Sequence, residues 1–257
     1  MKRTLNALPE PVRLVARAIR HPVMIAQKVS YTVGLKDVAR ELGVLEELAF
    51  WDGFLGNKAR WPQDFQCRFD PNLPLQEHVA SWLDCPMGSE VKILDVGAGP
   101  LTALGKQCGG KKISITAVDM LANEYDLLLK KHHIEPLVRT TPARGEDLVS
   151  LFQPDQFDLV YARNCVDHML DPLRAIQQML ILVKPNCHVL LEHVVNEGKK
   201  EGYIGLHQWN FFADDGEFFI ANPHKTTNVS QELKAIATIE CEVKGSWIIT
   251  NLRKSSS

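Results

Sequence analysis

Two carboxylates and two glycines at fixed spacing are the residues of this chain best suited to do chemistry. The run Val91-Lys92-Ile93-Leu94-Asp95-Val96-Gly97-Ala98-Gly99-Pro100 reads as a buried strand that ends in an acid and breaks into a glycine turn leading to a helix. Gly97 and Gly99 have no Cβ, so the backbone there can turn sharply and come close to a ligand. Pro100 has its φ preset for a first helical turn. A second apolar run, Ile113 to Val118, ends in Asp119, twenty residues after Gly99. An α/β nucleotide fold holds ribose hydroxyls with an acid at that position. The turn fits neither a dinucleotide site nor a P-loop: Thr102 stands where the third Gly or Ala belongs, and no Gly-Lys-Ser/Thr follows. Asp95, two residues ahead of the first glycine, suits instead a ligand with a cationic amino-acid group and no phosphates.

At these residues the sequence resembles the class I S-adenosylmethionine-dependent methyltransferases. Their first motif has the form (D/E)-x-G-x-G-x, here Asp95 to Pro100, and their second is an acid ending strand two, here Val118-Asp119-Met120. Leu101 replaces the usual third glycine. Gly145-Glu146-Asp147-Leu148 is similar to the family's segment after strand three, and Phe157 to Asn164 to its strand four. Asp171-Pro172 matches the start of the next helix, and Leu182 to Asn186 the approach to strand five. The resemblance runs in order from about residue 75 to about residue 195. It implies an α/β fold: a seven-stranded, mostly parallel Rossmann-like sheet with an antiparallel final hairpin. It also implies S-adenosylmethionine as methyl donor, leaving S-adenosylhomocysteine. Carried over residue by residue, Gly97, Ala98 and Gly99 would cradle the methionine part and ribose. Asp95 would sit near the amino group, Asp119 would accept from the ribose hydroxyls, and Met120 would lie against the adenine. Glu146 or Asp147 would meet the adenine amino group. Asn164 and Cys165 would back the methionine part. The acids also read as caps of turns or helices.

Methyl transfer from a sulfonium is an in-line displacement, so positioning dominates; an alcohol acceptor also needs a base within hydrogen-bond reach. His168 follows Asp167 in the loop after strand four, which faces the methyl group in this family. His207 lies in the aromatic segment Tyr203 to Phe212, and His193 ends strand five. Asp167 would hold a histidine in one tautomer. His168, His207 and Asp167 are therefore the candidate catalytic residues. The Arg163-Asn164-x-x-Asp167-His168 loop and the His207-Gln208-Trp209-Asn210 block also resemble bacterial methyltransferases found with cell-surface polysaccharide genes. That resemblance implies a small molecule or glycan as acceptor, with Trp209 suited to stack on a sugar face.

The elements that must position these residues alternate strand and helix. Strands are expected at 91–96, 113–118, 137–140, 157–162 and 187–195, and helices at 100–108, 121–131, 146–151 and 172–183, behind a helix at 75–83. Residues 236–252 read as a hairpin. Residues 1–74 form an N-terminal extension, helical to about residue 50, with a break at His21-Pro22 and then dense in aromatics (Phe50, Trp51, Phe54, Trp61, Phe65, Phe69). That stretch suits a lid over the donor or a plug packing helices onto the sheet, and its Arg68 could reach the donor's carboxylate. Residues 75–257 form the donor-binding domain, with a substrate insertion at 196–230.

Composition narrows the alternatives. Six Lys/Arg against one acid between Lys2 and Lys28 give either a solvated helix face or a surface for anionic lipid or a phosphate-bearing acceptor. Net charge is −2 and no basic stripe lies elsewhere, which argues against RNA as acceptor and offers no clear nucleic-acid surface. Asn164-Cys165-Val166-Asp167 stands where amide and base N-methylating families carry Asn/Asp-Pro-Pro-Tyr/Phe. Six scattered cysteines without a C-x-x-C pair argue against zinc or disulfides and for cytoplasmic thiols. No metal set is read from the spacing. The alternatives are RNA or protein methylation, or a non-catalytic donor-binding subunit. Oligomeric state is open.

Overall fold

The computed structural model describes residues 36–58 and 61–256. Helix α1 (Lys36–Gly56) is followed by α2 (Pro62–Phe69) and the short α3 (Glu77–Ala80). The sheet is then built from β1 (Glu90–Val96), β2 (Lys112–Asp119), β3 (Thr140–Pro142), β4 (Phe157–Arg163), β5 (Val183–Val194), β9 (Ala237–Lys244) and β10 (Trp247–Lys254). Its order is β3-β2-β1-β4-β5-β10-β9, with β10 antiparallel to its neighbours β5 and β9 and the rest parallel. This is the expected α/β architecture, seven strands closed by an antiparallel hairpin. The order reverses between β1 and β4, so a crevice opens above their carboxyl ends, where ligands bind in open α/β sheets. Helices α4 (Ala122–Lys131) and α5 (Pro172–Leu182) and two short 3₁₀ segments, Gly145–Ser150 and Val166–His168, complete the crossovers.

Period-two alternation assigns each strand's side chains to two cores. Leu94 and Val96 of β1 and Val160 and Ala162 of β4 pack with Ile176 and Met179 of α5. Val91 and Ile93 of β1 and Leu159 and Tyr161 of β4 face the other way, onto Leu75, Val79, Leu83 and Leu104. Asp95 falls on this second face, buried at the end of β1.

That second face departs from expectation. No helix forms over 100–108, and the helix expected at 75–83 is confined to Glu77–Ala80. The chain after the glycine turn is instead tied to residues 73–76. Lys106 N–H donates to Leu73 O at 2.8 Å, and Leu75 N–H to Gln107 O at 2.7 Å. The Gln76 amide brackets the segment, donating to Ala103 O (2.7 Å) and accepting from Gly105 N–H (3.3 Å). Thr102 Oγ1 accepts from Leu104 N–H at 3.1 Å, a local alternative to helical bonding. Leu104 supplies the burial that a helix would have given.

Two further differences concern β3 and the insertion. β3 lies at 140–142, three residues later than expected at its start, where Thr140 and Pro142 pair with Ala117 and Asp119. The insertion folds as helix α6 (Glu197–Glu201) and a separate antiparallel sheet, β6 (Asn210–Asp214), β7 (Glu217–Ala221) and β8 (Thr226–Asn228), followed by α7 (Val229–Leu233). Phe211, Phe218 and Ile220 bury this sheet into the α5 side of the core. The helix expected ahead of residue 36, its break at His21-Pro22 and the basic stretch to Lys28 lie outside the described residues. No helix among the described residues is long and apolar enough to cross a membrane.

Candidate active site

The glycine turn sits where β1 meets the crevice. Gly97 and Gly99 have φ of +70° and +65°, a region that disfavours residues with a Cβ. A Cβ on Gly97 would lie 2.4 Å from Cys165, and one on Gly99 would lie 2.7 Å from the Trp51 ring. The turn is therefore pressed between the loop after β4 and helix α1. The N–H groups of Gly97 and Ala98 donate to Val118 O at 2.8 and 3.1 Å. Asp119 completes this tie between β1 and β2: Oδ2 accepts from Gly99 N–H at 3.1 Å and Oδ1 from Leu121 N–H at 2.9 Å. Asp95 Oδ2 accepts the Thr102 hydroxyl at 2.5 Å. Burial pushes both carboxyls up to about 6, against the hydrogen bonds that pull them down. Asp119 does cap its turn, as the sequence allowed, whereas Asp95 accepts a side-chain hydroxyl. A carboxylate offers about four lone-pair positions, so each retains acceptor capacity. A turn bare of side chains between two buried, under-used acids fits a ligand with ribose hydroxyls and a cationic amino group.

Helix α1 lies over this crevice. At one end Arg40 donates to His168 O (3.2 Å) and reaches Met120 Sδ (3.4 Å). Gly43 packs on Gly205 of the insertion, where a Cβ would come within 2.7 Å of its backbone. Farther along, Trp51 covers Gly99 and donates through Nε1 to Glu47 at 2.9 Å. At the far end Asp52 pairs with Lys131 (2.8 Å) and His132 (2.7 Å) of the α4 terminus. Phe54 and Leu55 are buried with Leu101 and Leu129, against Trp51, Trp61, Phe65 and Phe69. Part of the aromatic stretch thus packs helices together, while Trp51 touches the turn. Arg68 Nη1 donates to Leu101 O, and its guanidinium stacks over Trp51 and Phe54 at 5.4 and 5.6 Å.

Beyond β4 the chain brings the candidate catalytic residues together. Asn164 takes a left-handed conformation (φ +50°), and its Oδ1 accepts from Val194 N–H at 3.2 Å. Cys165 donates through Sγ to Val96 O at 3.0 Å, and burial raises its thiol well above the usual range. The turn Val166–His168 then presents Asp167 and His168 to His207 of the insertion. His207 Nδ1 lies 2.7 Å from Asp167 Oδ2 and 3.1 Å from His168 Nε2. Burial would raise Asp167, but the two histidines hold it at about 2. Burial likewise opposes the charge on His207, but Asp167 and then Glu197 push it up to about 9. His168 is lowered, chiefly by burial. Glu197, at the start of α6, reaches within 3.8 Å of His207 Nδ1, and burial pushes it up to about 7.

Other expected site residues are engaged elsewhere. Glu146 is buried, and its Oε1 accepts from Leu170 N–H at 2.8 Å, capping the approach to α5. Asp147 pairs with Arg174 at 2.9 Å on the surface. Met120 is partly exposed. His193 is buried, stacked on Phe211 at 4.3 Å, and accepts Val166 N–H at 3.2 Å; burial lowers it to about 4. It is a structural acceptor within the core. Trp209 donates to Met169 O at 3.0 Å and packs against the α5 core. Arg40, Glu47 and Glu197 carry no motif that marks them in the sequence; only the fold brings them here.

Residues 67–234 match the profile of a family described as a methyltransferase domain. The chain belongs to that family. It carries a methyltransferase domain on the seven-stranded α/β sheet described above. No curated protein matches it. Among solved structures it is similar to the CurJ carbon methyltransferase (15% identity, TM-score 0.47, 67% of this chain and 50% of that one). This chain therefore spans half the length of that enzyme. It is also similar to phosphoethanolamine N-methyltransferase 2 of Haemonchus contortus in complex with S-adenosyl-L-methionine (16%, 0.47, 79% and 59%). A third is an S-adenosylmethionine-dependent methyltransferase of Methanosarcina mazei (16%, 0.45, 72% and 100%).

Proposed function

We propose that the enzyme methylates a hydroxyl oxygen of a small molecule or glycan, with the acceptor entering between the insertion and the loop after β4. One observation carries this reading: the His168, His207 and Asp167 side chains converge within hydrogen-bond distances two residues beyond Cys165, which itself touches Gly97. An acceptor hydroxyl must lose its proton during transfer, and the imidazole of His168, kept neutral by burial beside the Asp167–His207 pair, can receive it. A carbon acceptor or an ammonium would also have to give up a proton, so the linkage of the product, methyl ether against C-methyl or N-methyl, is what separates these readings.

S-adenosylmethionine, when bound, supplies a methyl group on a sulfonium. The chain's own residues would do the rest. Gly97, Ala98 and Gly99 would line the donor with backbone, and Asp119 would take ribose hydroxyls with its remaining lone pairs. Asp95 would face the amino group. Met120 would lie against the adenine; Glu146, with one oxygen committed to Leu170, would meet the adenine amino group only with the other. Asn164 and Cys165 would back the methionine part. Helix α1, with Trp51 on the turn, would cover the site and exclude water. The basic residues between Lys2 and Lys28 would favour a lipid-linked or phosphate-bearing acceptor.

The test is a screen of sugars, lipid-linked glycans and matched amines for methyl incorporation, with product linkage read by NMR. The expected product is a methyl ether. His168→Gln and His207→Gln should each lower kcat on that acceptor by about 10²- to 10⁴-fold while leaving donor affinity intact. Methyl amine products, or unchanged kcat in the double variant, would overturn the reading.

A further inference from the structure

His207 Nδ1 is claimed twice. An imidazole nitrogen has one in-plane direction, used either by a proton or by a lone pair. Yet Asp167 Oδ2 lies 2.7 Å from this atom and His168 Nε2 lies 3.1 Å from it, while Oδ2 and Nε2 are 3.7 Å apart. If Nδ1 carries a proton directed at Asp167, the His168 nitrogen faces the same atom without a linear bond. Three donor atoms converging on one point are what a cation between them would require. Ligands about 2.0–2.2 Å from a metal stand about 3.0–3.4 Å apart when they are neighbours in octahedral or tetrahedral geometry, and the observed separations straddle that range.

Two further atoms point the same way. Asp167 Oδ1 is buried and accepts no hydrogen bond, and Asp167 as a whole is only 1% exposed. Glu197 Oε2 is also buried without a hydrogen bond, 3.8 Å from His207 Nδ1. Buried carboxylate oxygens left without donors are costly, and a nearby cation removes that cost. Two imidazoles with carboxylate oxygens suit a first-row divalent transition metal rather than magnesium or calcium, which prefer all-oxygen sets.

We propose that Asp167, His168 and His207, with Glu197 beside them, bind one divalent transition-metal ion. The sequence gives no sign of it, because the ligands come from the turn after β4 and from an insertion some forty residues later; the C-x-x-C spacing that marks many zinc sites is not needed. Ion binding stands apart from the acceptor's identity; a role in methyl transfer rests on the proposed hydroxyl acceptor. In that role the ion, in place of the imidazole nitrogens it occupies, would activate the acceptor, holding the hydroxyl oxygen in an open coordination position and lowering its pKa. The O–H bond then breaks, with the electron pair staying on oxygen and the proton passing to the Glu197 carboxylate or to water.

The experiment is cobalt(II) titration of the purified, chelator-treated full chain, read by visible d–d absorption and by calorimetry. The proposal expects one Co²⁺ per chain, displaced by Zn²⁺ but not by Mg²⁺. His207→Gln and His168→Gln should each weaken binding on the order of 100-fold. His188→Gln, on the same sheet but bonded to Asn251, should bind as wild type. Circular dichroism checks folding; if His207→Gln unfolds, His168→Gln and Glu197→Gln carry the test. No bands with folded wild type, or bands unchanged in the ligand variants, would overturn the proposal. Methyl transfer to an alcohol by chelated enzyme that binds no Co²⁺ would retain the hydroxyl reading and reject the metal. Stoichiometric Co²⁺ lost in His207→Gln would retain the metal even if the acceptor proves to be an amine.

Discussion

Asp119 accepts from Gly99 and Leu121 within the protein itself, so it shapes the turn in addition to the donor role proposed for it. Its carboxyl and that of Asp95 are held up near 6 by burial. In the proposed roles, donor binding would use the ionised forms as acceptors and would release protons when either acid is protonated beforehand. Affinity should be flat above pH 7 and fall below pH 6, by about tenfold per pH unit for each acid involved. Calorimetry at pH 5.5 and 7.5 checks this, and equal affinities would reject it. Gly97→Ala forces a Cβ to within 2.4 Å of Cys165 at a φ of +70°. It should cost about 1–3 kcal/mol from backbone strain alone and abolish donor binding, read by melting and titration together. At this scale the glycine turn and its two flanking acids were legible, because glycines and acids at strand ends have few other uses. The fates of Glu146 and Asp147 were not: whether an acid meets a ligand, a backbone N–H or Arg174 depends on loop geometry that spacing does not encode.

Among the elements, those with strong periodicity behaved as their sequences imply. β1, β2, β4 and α5 fall within a residue or so of their expected bounds, because alternation and apolar stripes are enforced by burial on two faces. The expected helix at 100–108 failed for a specific reason. Gly105 and Thr102 weaken it locally, and residues 73–76 compete for its backbone groups. Gly105 has no room for a side chain: a Cβ would stand 2.0 Å from Pro74 O. Gly105→Val should therefore lower the melting temperature by on the order of 5–10 °C. A melting point within a degree or two of wild type would show that this segment does not pack on residues 73–76. The insertion's sheet was missed because Tyr203 to Phe212 mixes aromatic and polar residues without a period. Its pairing appears only when Phe211, Phe218 and Ile220 close over the core.

Across the whole molecule, the strand order places three sequence-distant segments above one crevice. The glycine turn, the Asn164–His168 loop and the insertion's His207 meet where β1 and β4 diverge, under a helix fixed at Arg40, Gly43, Trp51 and Asp52. The topology was legible from the alternation of strands and helices. The roof was not, since α1's contacts are to residues far along the chain, such as Met120, His168 and Lys131. Titration of S-adenosylmethionine into wild type and Asp119→Ala tests the central claim most directly. The account predicts micromolar binding to wild type and at least a tenfold loss in a variant that remains folded. No binding to wild type, or equal binding to both, would contradict a donor site built on this turn.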